Sequence, residues 1–129
     1  MHKLILIMLL AVASGNAIAE WVKLDDTDYF TLYADNSTIV KNGNLVIMRH
    51  LHDEKNTRKT VTSESYKSTK ELVKYDCMGS LMRTLAFSLH AEQMGGGKVI
   101  YQDNFPSNWI PVQSKTIDET LLKYACGKK

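Results

Sequence analysis

Short runs of alternating apolar and polar residues, bounded by turn-forming residues, make up most of this chain. Trp21 to Leu24 is one such run, and the polar cluster Asp25 to Asp28 closes it. Tyr29 to Ala34 (YFTLYA) is rich in aromatic and β-favouring residues and predicts a strand. Asp35 to Thr38 carries side chains that bond their own backbone, which predicts a turn or one helical turn. Asn42-Gly43 is the strongest hairpin signal, because both residues tolerate positive φ. It joins Ile39-Val40 to Leu45–Leu51 (LVIMRHL), which is apolar on both faces for part of its length and predicts a central strand. Asp53 to Lys59 reads as a charged connection. Thr60 to Thr69 favours β structure but is almost wholly polar, so it predicts an outer or edge strand guarded by lysines.

Tyr75 to His90 supports two readings. As a strand, Tyr75, Cys77, Leu81, Leu85, Phe87 and Leu89 share one face. As a helix, Met78, Leu81, Met82, Leu85 and Leu89 form a stripe at three-four spacing. Periodicity alone leaves both open. Gly95-Gly96-Gly97 breaks the pattern, Lys98 to Gln102 predicts a strand, and Trp109 to Val112 a short extended piece. The chain ends in a helical pattern: Thr116 and Glu119 have capping-box spacing, Ile117, Leu121, Tyr124 and Ala125 share a face, and Gly127 is a natural stop. The expected class is α+β, an antiparallel sheet with a C-terminal helix on one face.

The first 19 residues have a different character. Met1-His2-Lys3 is basic, Leu4 to Ala13 is an apolar run of ten, and Ala17-Ile18-Ala19 is a small-x-small cleavage site. Residues 1–19 are therefore expected to be a secretory signal peptide. Residues 20–129, 110 of the 129, are expected to form a single domain. A run of ten is too short to span a bilayer, which takes about 20 apolar residues. The first cysteine is Cys77, so the mature amino terminus is expected to carry no lipid anchor. The periplasm is the expected location, with secretion or the cell surface as alternatives. An even cysteine count in an exported chain predicts a Cys77–Cys126 disulfide tying the terminal helix to the sheet.

Charge changes the picture only locally. Sixteen Lys and Arg against 14 Asp and Glu give a net charge of +2, too little for nucleic acid as the main partner. Lys55, Arg58, Lys59, Lys67, Lys70 and Lys74, interleaved with Glu54, Glu64 and Glu71, form a basic-leaning stretch and the candidate partner-binding residues. His50 and His52, two apart on a strand, are weak metal candidates; His90 is the third imidazole available, and no metal or cofactor is expected. Arg83 shares the parity of Leu81 and Leu85, so it is expected to pair with a carboxylate such as Asp35. Tyr101, Phe105 and Trp109 surround a loop and are expected to pack into the core or act as its lid. No serine sits in a nucleophile elbow, and oxidised cysteines are no nucleophiles, so no catalytic residues and no enzyme activity are expected.

The order of these features resembles the surface-adhesin protein E family of Gram-negative bacteria. The resemblance rests on Trp21, on Tyr33-Ala34-Asp35 with Ser37 and Ile39, on Gly43, and on Tyr75-Asp76-Cys77 with Arg83. Gly97, Trp109, Pro111 and the Ala125-Cys126-Gly127 ending complete it. It implies a sheet of about six strands, a strand in the ambiguous segment and a helix tied by Cys77–Cys126. It further implies a non-enzymatic, adhesin-like module that binds host matrix or plasma proteins. Two other functions are compatible with the residues: a periplasmic inhibitor or accessory protein of an envelope enzyme, and a metal-handling protein using His50 and His52.

Overall fold

A meander of strands carries one helix at its end in the computed structural model, which describes residues 19–127. The predicted leader, apart from Ala19, lies outside the described residues. The strands are β1 (Trp21–Asp26), β2 (Phe30–Asn42), β3 (Leu45–Lys59), β4 (Ser65–Asp76), β5 (Leu81–His90), β6 (Val99–Asp103) and β7 (Ile110–Pro111). Each of β1 to β5 pairs antiparallel with the next, and β7 pairs with β5 at Leu81 and Met82. Short hairpins join consecutive neighbours, as local pairing favours. In the β2–β3 hairpin Gly43 has φ +63°, a value open to glycine at no steric cost, and the turn centres on Gly43-Asn44.

The helix α1 (Ile117–Cys126) begins where the capping box predicts. Thr116 Oγ1 accepts from the Glu119 backbone N–H, and Glu119 reaches back to the N–H of Lys115. Gly127, in the left-handed region, ends it. Leu121, Leu122 and Ala125 dock on Leu32, Ala34, Val46, Met48, Val73, Tyr75 and Met82. Every second residue of the central strands faces this core, as strand alternation requires. Cys126 at the helix end is bonded to Cys77, just after β4, with Cα atoms 5.8 Å apart.

Several expectations need correction. The turn expected at Asp35 to Thr38 is an irregularity inside β2, where register with β3 breaks between Asp35 and Val40. Asp35 Oδ1 accepts from the N–H of Glu20 (2.9 Å), the N–H of Ser37 (3.0 Å) and the Ser37 hydroxyl (2.6 Å). Burial pushes its carboxyl up, and these donors outweigh burial, so it sits below the usual range. The charged stretch Asp53 to Lys59 continues β3, with a bulge before Arg58. The polar stretch predicted as an edge is in fact interior: β4 lies between β3 and β5, and only Thr60 to Glu64 form the turn before it. Tyr75 to His90 is strand on both sides of a turn at Cys77–Ser80.

That turn also moves Arg83. Met82 opposes Tyr75 and Arg83 opposes Lys74, so Arg83 points away from the core. Asp35 and Arg83 are not partners. With β3 and β4 between them they stand three strand spacings, about 14 Å, apart. Arg83 Nε donates to the Ser107 carbonyl at 3.0 Å, and its guanidinium lies 5.6 Å from the Trp109 ring centroid. Tyr101, Phe105 and Trp109 are exposed, Phe105 by 87%, and do not pack into the core.

Candidate functional site

The helix leaves one face of the sheet uncovered. Core alternation puts Val46, Met48, Val73 and Tyr75 under α1, so Arg49, Lys70, Leu72 and Lys74 point to the opposite side with Arg83. None of Arg49, Lys70, Lys74 and Arg83 is in ion-pair contact with a carboxylate among the described residues. Lys74 stands directly opposite Arg83 in the β4–β5 register. Like charges at such a position are destabilising.

A hollow of about 300 Å³ opens on this face, lined by Arg49, Lys70, Leu72, Ala86, Ser88 and His90 among others. A 3-10 turn at Gln93–Gly95 lies against the same face. Its backbone is held by Ser68 Oγ, which accepts from Gly95, and by Asp53 Oδ1, which accepts from Met94. The Lys70 stem passes so close to Gly95 that a side chain there would meet Lys70 Cε. Ser88 Oγ lies 2.7 Å from His90 Nε2. Burial, and then the charge of Lys70, lowers the His90 pKa and favours its neutral form. The Trp109 ring, beside Arg83, borders the β5 side of the face.

The basic stretch is thereby split. Lys55 pairs with Asp26 at 2.6 Å, Arg58 with Glu54 at 3.5 Å and Lys67 with Glu92 at 3.6 Å. Lys59 is exposed near the β3–β4 turn. Lys70 and Lys74 join the open face. Arg49, which the sequence reading passes over, belongs with them because its parity matches theirs across β3 and β4.

A second group lies on the helix side. His50 and His52 follow Met48 along β3, and His50 opposes Glu71 of β4. His50 Nε2 is 2.8 Å from Glu71 Oε2. The carboxylate is the partner of this nitrogen, while Nδ1 of the same buried side chain has no hydrogen-bond partner. His52 rests against Phe30, with ring centroids 4.6 Å apart. Burial, and then His50, holds the His52 pKa at about 4. Burial pushes the Glu71 carboxyl up, but the His50 contact and the two imidazoles outweigh it and bring it below its usual value. Asp118, in the first turn of α1, responds to both His50 and Glu71; burial raises its pKa. Tyr75 Oη is buried beside them without a hydrogen-bond partner, and burial pushes the phenol up. His90 is on the other face, so it is not a third member of this group.

No helix among the described residues is long and apolar enough to cross a membrane. The family model for surface-adhesin protein E matches residues 21–127. No curated protein matches the chain. Among solved structures, the chain is similar to Haemophilus influenzae protein E at 10% identity, with a TM-score of 0.66 over 87% of each chain. A second crystal form of that protein gives a TM-score of 0.64 at 10% identity, covering 86% of this chain and 97% of the other. Protein E from non-typeable Haemophilus influenzae gives 0.62 at 10% identity, covering 87% and 78%.

Proposed function

Because this chain belongs to the surface-adhesin protein E family, we propose that it is an exported, adhesin-like module that binds another protein through the helix-free face of its sheet. The chain enters the export route on the leader at residues 1–19, and residues 20–129 fold as the binding domain. The partner is a host matrix or plasma protein with an acidic surface, and no catalysis is involved.

One observation carries this reading: Lys74 opposite Arg83, with Lys70 on the same face and none of the three in ion-pair contact with a carboxylate among the described residues, while Arg49 beside them faces Asp35 across β2 and β3. A surface selected for stability alone would have one of these cations replaced, since opposite charges across strands stabilise and like charges do not. Arg and Trp are also the residue types that concentrate binding energy in protein interfaces, and Arg83 and Trp109 stand in contact here.

The test is binding of the exported protein to immobilised matrix and plasma proteins across a salt series. Saturable binding to at least one of them is expected, and it should weaken as salt rises, because exposed charges are screened. Protein confined to the periplasm and bound to none of them would end the host-adhesin reading.

A further inference from the structure

We propose that His50, His52 and Glu71 form a binding site for a divalent transition-metal ion of the zinc and copper class. The site is on the opposite face from the proposed protein-binding surface, and it stands or falls independently of it.

The argument begins with chemistry. Each of the three residues offers one ligand atom, and these atoms all lie within 4.8 Å of one another. A zinc ion bound at 2.0–2.2 Å in tetrahedral geometry has ligand atoms about 3.4 Å apart. Small side-chain rotations therefore close the set around an ion, with no movement of β3 or β4. Two imidazoles and a carboxylate are borderline ligands that suit zinc, copper and nickel rather than calcium or magnesium. Glu71 is 29% exposed while His50 is 1% exposed, so the ion would enter from the Glu71 side and keep water in its fourth position.

Charge points the same way. Glu71 and Asp118 sit together in a partly buried setting, and neither pairs with a lysine or arginine among the described residues. Buried charge of this kind is ordinarily paired or used to coordinate a metal. His50 Nδ1, buried without a hydrogen-bond partner, is a second sign, because buried polar atoms seldom lack one. His52 is already held by Phe30, and Asp118 would stand behind the ligands as an additional negative charge.

The test is calorimetric titration of tag-free exported protein with zinc sulfate and, separately, copper(II) and nickel(II) chloride. One equivalent of zinc should bind, and saturating zinc should raise the melting temperature. His52→Ala leaves the buried His50 in place and should fold normally by circular dichroism while binding zinc at least tenfold more weakly. Glu71→Gln should behave alike. His90→Ala should titrate as wild type. Absence of binding to all three metals would overturn the proposal, and so would a His52→Ala protein that binds zinc as tightly as wild type.

Discussion

Replacing Cys77 and Cys126 together by serine is expected to lower the melting temperature by about 15 °C or more. The bridge spans 49 residues of sequence, and the loop it closes contains β5, β6, β7 and all of α1. Closing a loop of that length removes unfolded-state entropy worth about 4 kcal/mol. A domain of this size has a total stability of about 5–15 kcal/mol, so the loss is a large share. The effect should be local as well as global. The helix meets the sheet through Leu121, Leu122 and Ala125, and Cys126 fastens its last turn. Hydrogen exchange in the reduced or serine protein should therefore rise first along α1, before the β2–β3–β4 centre opens. An unchanged melting temperature would show that packing alone holds the helix.

The second large effect is at Leu121. This side chain is fully buried and belongs to the core cluster. Leu121→Ala deletes its apolar atoms and leaves a cavity under the helix, at an expected cost of about 2–5 kcal/mol. Lys123→Ala on the exposed side of the same helix should change stability by less than about 0.5 kcal/mol. Urea denaturation of the two variants makes the comparison, and equal midpoints would mean that α1 contributes little to the folded core.

These effects rest on elements that could be read directly from residues. The capping box at Thr116 and Glu119, the stop at Gly127 and the hairpin at Gly43 are local signals, and each is where its chemistry requires. The pairing of Cys77 with Cys126 followed from the even cysteine count and the expectation of export. What escaped were facts that only strand register supplies. β4 looked like an edge because the stretch Thr60 to Thr69, whose second half it contains, is almost wholly polar. Polarity on an uncovered face does not tell an inner strand from an outer one.

Arg83 was misplaced because alternation was counted through the Cys77–Ser80 turn and past a bulge. Register shifts between Leu72 and Val73, leaving Leu85 as the extra residue on β5 and changing which side chains share a face. The pair His50 and His52 was visible at strand spacing, but Glu71 stands 21 positions beyond His50. It joins them only through the β3–β4 pairing. The same pairing brings Arg49 beside the strand that carries Lys70 and Lys74. Each of these groupings is a cross-strand fact, and a single sequence contains no local trace of it.

Lys74→Glu tests the functional account most directly, because it separates binding from stability. Glutamate opposite Arg83 would replace a repulsion by an attraction, so the melting temperature should hold or rise slightly, in line with a cross-strand pair worth about 0.2–1 kcal/mol. Binding to the acidic partner found in the immobilised-protein assay should fall at least tenfold in the same protein. Affinity unchanged from wild type, in a variant whose melting temperature has not dropped, would contradict the assignment of the helix-free face as the binding surface.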